Sequence, residues 1–136
     1  MDKIIKIDGK DIKFRATART PRLYRALTMR DLIRDFKNLT DHYQEAQENK
    51  DEMGLSIEDL TIFENVAYVM ARHANPDMPE KNPDDWLDSF DFFSIWEVLP
   101  QILELWRLNN IQTSKSKKNS SEGPRTQRSY LYVAVC

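Results

Sequence analysis

The residues of this chain that could do chemistry by themselves are two histidines and one cysteine. His42 and His73 stand alone, with no second histidine, cysteine or carboxylate at metal-ligand spacing on a shared helix face. Cys136 is the last residue, in a segment without predicted structure, which does not favour a reactive thiol. These residues therefore predict no catalytic group and no cofactor site.

Two short patterns could bind a phosphate or a cation. Gly9-Lys10 lacks the upstream glycine and the following Ser or Thr of a phosphate-binding loop, so we interpret it as a turn. Four carboxylates could hold a divalent cation, since residues at i and i+4 share a helix face: Asp84, Asp85, Asp88 and Asp91. Acidic residues at the start of a helix are also favoured by its dipole. We therefore expect no metal site and a protein that is not an enzyme.

Arginine is concentrated in the first third of the chain, where a spacing of three or four residues on a helix could follow phosphates. Residues 1–39 carry 11 basic and 5 acidic groups (+6), residues 40–106 carry 3 and 16 (−13), and residues 107–136 carry 6 and 1 (+5). The acidic middle would repel a polyanion. Contacts between basic and acidic regions, within one chain or between copies, are therefore favoured over nucleic acid.

The elements that must position these residues are predicted to begin with a β-hairpin over about residues 3–16. Apolar and basic residues alternate on both sides of a glycine-containing turn, and the apolar ones are Ile5, Ile7, Ile12 and Phe14. Because an isolated hairpin is marginally stable in water, it must pack on helices.

Helical spacing and capping residues predict three helices before residue 90. One long or kinked helix spans about 21–48, with Thr28 and Asp31 as a second capping signal inside it. The next follows a Ser56–Asp59 capping box and stops at Asn75-Pro76. A short third helix starts at Asn82-Pro83.

The rest of the chain is expected to be organised around residues 90–106, FDFFSIWEVLPQILELW, which are apolar on nearly all sides. Such a helix needs partners on most faces, either from its own domain or from another protein. Pro100 either kinks this helix or lies in the first turn of one that begins nearer Val98. Trp96 and Leu99 are expected in the core.

The C-terminal segment 111–136 is basic, polar and without periodicity, which predicts a disordered tail after a helical domain of residues 1–110. A single cysteine is typical of a reducing compartment. The sequence contains no signal peptide and no stretch of about 18 apolar residues, so we expect a soluble cytosolic protein without membrane contact.

Several separate phrases resemble one protein family over about residues 4–110. They are IDGK at 7–10, TPRLYR at 20–25, FENVAYVMA at 63–71, WLD at 86–88 and FSIWEVLPQI at 93–102. In this order and spacing they are similar to the tail assembly chaperones of long-tailed phages and prophages of Gram-positive bacteria. Residues 125–136 do not look like the ordered part of that family.

The resemblance implies a mainly helical chaperone that works in the host bacterial cytoplasm and is absent from the mature virion. It would coat the tape measure protein, keep that long apolar protein soluble and help to recruit major tail tube subunits. Many such genes also give a longer product by programmed ribosomal frameshifting after a lysine-rich linker, which Lys115, Lys117 and Lys118 match. Several copies, forming a homo-oligomer, would bind along the tape measure.

The candidate partner-binding residues are apolar anchors from the helix at 90–106 and cations from the first helix, because aromatic residues and arginine dominate protein interfaces. They are Phe92, Phe93, Trp96, Leu103, Trp106, Arg22 and Arg25. A nucleic-acid-binding regulator and a structural tail component are the alternatives.

Overall fold

The protein is a small, mainly helical domain with an N-terminal hairpin, as the sequence predicts. The computed structural model describes residues 1–51 and 54–120, with side chains as far as Asn109. The elements, in chain order, are β1 Asp2–Ile7, β2 Lys10–Arg15, α1 Thr20–Thr28, α2 Leu32–Glu48, α3 Ile57–Ala74, α4 Pro83–Asp88 and α5 Ile95–Ser120.

The β1–β2 hairpin is antiparallel, with Ile5 opposite Ile12 and Lys3 opposite Phe14. Its two-residue turn needs positive φ at Asp8 (52°) and Gly9 (77°), and glycine adopts that conformation without steric cost. One face of the hairpin is buried on the helices. The predicted hairpin and its need for helical support are confirmed.

The region predicted as one long or kinked helix over 21–48 forms two helices instead. Met29 ends α1 in the left-handed conformation, with φ of 62°. Asp31 then starts α2 by accepting a hydrogen bond from the backbone N–H of Ile33 at 2.9 Å. The capping signal inside the predicted helix therefore marks a complete break, because the backbone N–H groups at the start of α2 need new acceptors.

Helix α3 is the central element of the domain and contacts β2, α1, α2, α4 and α5. Ser56 and Asp59 form the predicted capping box, and the helix stops before Asn75-Pro76 as expected. The expectation that the chain is organised around residues 90–106 is therefore wrong. Ala67 and Ala71, one turn apart on one side of α3, are fully buried in the core.

Helix α4 begins as predicted, with the Asn82 side chain accepting from the N–H of Asp85 at 2.8 Å. Helix α5 begins at Ile95 and contains Pro100, so a start nearer Val98 is wrong. The Gln101 amide donates to the carbonyl oxygen of Glu97 at 3.0 Å, one turn earlier. Pro100, the residue before Gln101, has no backbone N–H to donate, so this side-chain bond lies next to a missing backbone hydrogen bond.

Helix α5 continues to Ser120, ten residues beyond the domain boundary predicted at 110. Residues 111–120 contain no glycine or proline, and a helix that has already formed gains one hydrogen bond for each residue it adds. The rest of the segment predicted to be disordered, residues 121–136, lies outside the described residues, as does Cys136.

Candidate partner-binding surfaces

One apolar row on α5 lies at the edge of its buried face. The inner side of the helix is buried and consists of Ile95, Val98, Leu99, Ile102, Leu105 and Trp106. Beside it lie Trp96, Pro100 and Leu103, spaced by four and three residues: Trp96 and Leu103 are partly buried against the core, and Pro100 is exposed. We call these three residues the outer stripe. Two exposed acids, Glu97 and Glu104, lie next to them in sequence.

Aromatic contacts hold the start of this surface in place. The ring of Trp96 packs on Tyr43 with centroids 5.1 Å apart, and Phe93 stacks on Phe63 at 5.0 Å. Trp86 contacts Phe93 edge to face at 5.4 Å. The partly buried rings are thus already ordered, which lowers the entropy cost of binding a partner.

Trp106, grouped with the partner anchors by the sequence, belongs to the core instead. It is 3% exposed and meets Phe36 edge to face at 5.8 Å. No acceptor for its indole Nε1–H is found in the described part of the chain. Leu99 is fully buried as predicted, whereas Trp96 is only partly buried. The apolar residues of α5 therefore serve mainly the core, and the outer stripe is the part of them that stays partly accessible to solvent.

A groove between α1 and α3 is the second candidate surface. Arg19, Leu23 and Leu27, at i, i+4 and i+8, form the α1 wall, and Val69, Arg72 and His73 form the α3 wall. Arg15 also lines this groove, whose volume is about 440 Å³. We call it the basic groove. Sequence reasoning missed it, although the spacing of 19, 23 and 27 was a usable signal.

The charges of the basic groove are only partly neutralised. Arg15 binds Asp2 at 2.8 Å, and this hydrogen bond lowers the pKa of Asp2 to about 2. Arg72 donates to the carbonyl oxygen of Glu80 at 2.9 Å. Among the described residues, no carboxylate lies within ion-pair distance of Arg19. The groove can therefore accept an anionic group beside its apolar floor.

His73 lies in this groove with its Nε2 atom 3.1 Å from the hydroxyl of Thr17. Burial lowers the pKa of His73, and the charges of Arg15 and Arg19 lower it further. The imidazole is therefore neutral near pH 7, and the positive charge of the groove comes from its arginines.

The predicted cations Arg22 and Arg25 are exposed on α1, outside the lining of the basic groove. Like Arg19, they have no ion-pair partner within the part of the chain that the structure describes. The structure thus places them far from the core and does not bring them into one site with the outer stripe.

A buried polar network fixes α1 against α2 and α3. Tyr24 donates to Asp35 at 2.8 Å, and Arg30 binds both oxygens of Asp35 at 2.7 and 3.0 Å. Arg30 also donates to Glu58 at 2.9 Å. Burial by itself raises the pKa of Asp35, but the hydrogen bonds from Arg30 and Tyr24 outweigh it and hold that pKa below its usual value. The network therefore supports the α1 wall of the groove.

His42 has a structural partner that the sequence did not indicate. Its Nδ1 atom lies 2.9 Å from a carboxylate oxygen of Asp59, the same residue that forms the capping box of α3. The hydrogen bond to Asp59 raises the pKa of His42. The pair joins α2 to the start of α3, which gives both side chains a structural role.

The loop between α4 and α5 carries Phe92, which at 75% is the most exposed aromatic side chain among the described residues. Residues 88–92, here the acidic loop, are held by the hairpin turn. Lys10 donates to the carbonyl oxygen of Ser89 at 2.6 Å, and Asp8 accepts from the N–H of Asp91 at 2.9 Å. Gly9 thus lies in a turn, as predicted, and Lys10 directly after it begins β2 and positions the acidic loop.

The described residues include no cluster of three or more His, Cys, Asp or Glu side chains arranged to hold a metal ion. None of the helices in the described ranges combines the length and apolar character needed to cross a bilayer. Comparison of the chain with protein-family models, curated proteins and solved structures finds no match.

Proposed function

We propose that this protein is a phage tail assembly chaperone that binds the tape measure protein and keeps it soluble. It also helps to recruit major tail tube subunits in the host cytoplasm and is absent from the finished virion. The observation that carries this proposal is the outer stripe, an ordered and partly exposed apolar row on α5 beside exposed acids.

The outer stripe suits an apolar helix as its ligand. Trp96 and Leu103 are seven residues apart, which is two helical turns or roughly 10 Å of α5. Side chains on such a row can enter the groove between ridges of a partner helix. Glu97 and Glu104 lie on the exposed side of the row, where Glu104 pairs with Lys3 at 3.3 Å. Charged side chains at this surface would keep a tape measure helix that is covered by several copies soluble.

The test is co-expression with the tape measure protein encoded nearby, followed by affinity capture. We expect the wild-type protein to keep the tape measure in the soluble fraction and to co-purify with it. Leu103→Lys, which puts a charge at the C-terminal end of the stripe, is expected to lose both effects. Ile57→Lys is the matched control, because Ile57 is 85% exposed on α3, away from the stripe.

An insoluble tape measure with the wild-type chain, and again with the longer frameshifted product, would refute the chaperone proposal. Equal solubility with wild type and Leu103→Lys would refute the assignment to the outer stripe.

The second candidate function is nucleic-acid binding, which is favoured by Arg19, Arg22 and Arg25 at and after the start of α1, since these have no ion-pair partner among the described residues. This function predicts DNA binding whose logarithmic affinity falls steeply with the logarithm of salt concentration. The outer stripe would then have no role, so Leu103→Lys would leave DNA binding unchanged.

A further inference from the structure

We infer that the acidic loop of one copy docks in the basic groove of a second copy, with Phe92 as its anchor. The chain then assembles head to tail through two different surfaces. This inference adds an interface to the proposed function and is tested without the tape measure protein, so the two can fail separately.

The acidic loop has the properties of a ligand. Phe92 exposes three quarters of its side chain, and Asp88 and Asp91 beside it are exposed. Residues 84–106 contain six acidic residues and no Lys or Arg. The hairpin turn fixes the loop backbone through Lys10 and Asp8, so little conformational freedom is left to lose on docking.

The basic groove has the complementary properties. The apolar residues of its two walls, Leu23, Leu27 and Val69, together form an apolar floor. The groove's volume of about 440 Å³ can hold an aromatic side chain. Arg19 has no carboxylate partner among the described residues and lies at the α1 edge of the floor. An aromatic ring flanked by carboxylates can therefore pack on the apolar floor while a carboxylate pairs with the Arg19 guanidinium.

The two surfaces lie at opposite ends of the hairpin. Lys10, which holds the acidic loop, begins β2, and Arg15, which lines the groove, ends it. Five residue steps along a strand span roughly 17 Å. A copy therefore cannot fill its own groove with its own loop. Because the two surfaces differ, each docking event leaves one free loop and one free groove, which gives a closed ring or an open filament.

Sedimentation velocity of the purified full chain tests this interface. Wild-type protein is expected to form species larger than a dimer as its concentration rises, and these species are expected to shrink in high salt because the loop and the groove have opposite charge. Phe92→Ser removes the anchor, and Arg19→Glu with Leu27→Glu closes the groove to an acidic loop. Each variant is expected to weaken self-association at least about tenfold, the effect of losing one well-buried aromatic anchor.

Mixing the two variants is the decisive measurement. The Phe92→Ser copy retains an intact groove, and the Arg19→Glu/Leu27→Glu copy retains an intact loop. The mixture is therefore expected to form a one-to-one dimer that grows no further. All three changed residues are exposed, so circular dichroism and thermal unfolding of both variants should match those of the wild type. Ile57→Ser, an exposed apolar residue outside both surfaces, serves as the matched control and should assemble like the wild type.

Three results would overturn the inference. A wild-type chain that stays monomeric up to millimolar concentration has no such interface. Self-association that persists in both variants uses another surface. A mixture that fails to form the dimer, while both variants remain folded, excludes pairing of this loop with this groove.

Discussion

Asp35→Asn tests whether the buried network among α1, α2 and α3 stabilises the domain through charge. Asp35 is almost fully buried and accepts three hydrogen bonds, one from Tyr24 and two from Arg30. Asparagine has nearly the same shape but no charge, and its amide nitrogen would face one of the Arg30 donors. The change therefore removes the ion pair and at least one hydrogen bond without opening a cavity.

The size of the effect follows from the exposure of the two partners. Breaking a buried ion pair costs about 3 to 5 kcal/mol, and an exposed pair contributes about 0 to 1 kcal/mol. The Arg30 side chain is 49% exposed and is rehydrated when its partner is lost, whereas Asp35 and Tyr24 are buried. We therefore expect the free energy of unfolding to fall by about 2 to 3 kcal/mol at pH 7.

Urea denaturation across a pH range is the assay. Because the native pKa of Asp35 lies below its usual value, its stabilisation is fully present above the unfolded pKa near 3.9 and is lost as pH falls through the native pKa. The difference between wild type and Asp35→Asn should therefore shrink below about pH 4. Asp41→Asn, which removes an exposed pair with Lys37, is the control and should cost less than about 0.5 kcal/mol. A stability difference that does not change with pH would refute the charge-based account.

Two further predictions concern the helix ends. The Nδ1 contact with Asp59 should give His42 an NMR titration pKa above 6.5, and the stabilisation from that bond is present below pH 6.5 and lost as pH rises through the native pKa. Titration of His42 at or below 6.5 would contradict the role of Asp59. Met29→Gly removes a side chain from a left-handed position that is 86% exposed, and should raise the free energy of unfolding by about 0.5 to 1 kcal/mol in thermal denaturation. A lower midpoint temperature than that of wild type would contradict this account.

Local signals predicted most of the fold because they act within a few residues. The Asp8-Gly9 turn, the Ser56–Asp59 capping box and the Asn82 cap all involve hydrogen bonds or dihedral angles close in sequence. The break at Met29 was harder to predict because no residue there excludes a continuous helix. The extension of α5 past residue 110 was missed because the polar composition shows only that these residues cannot form a core. A helix can still continue through such residues when the turn before them is already helical.

The candidate surfaces were less predictable because they depend on packing between distant elements. An apolar pattern on α5 marks residues that are expected to be buried, but it does not say whether α2 or a partner protein buries them. Trp106 is covered by Phe36 and Trp96 only partly by Tyr43, and no spacing rule separates the two tryptophans. The basic groove joins residues 19–27 to residues 69–76, a pairing that follows only from the contact of α1 with α3.

The packing of β1 on α5 has a consequence for biosynthesis. The hairpin precedes its helices in the chain, and although β2 packs on α3, part of its support comes from further on, because Lys3 meets Glu104 and Lys10 meets Ser89. A hairpin is not stable by itself, and contacts across 80 to 100 residues form slowly because a long loop must close. On the ribosome, the apolar face of the hairpin is therefore covered only in part, by α3 and α4, until α5 emerges to pack on β1. Folding of this domain is completed only when its final core helix has been made.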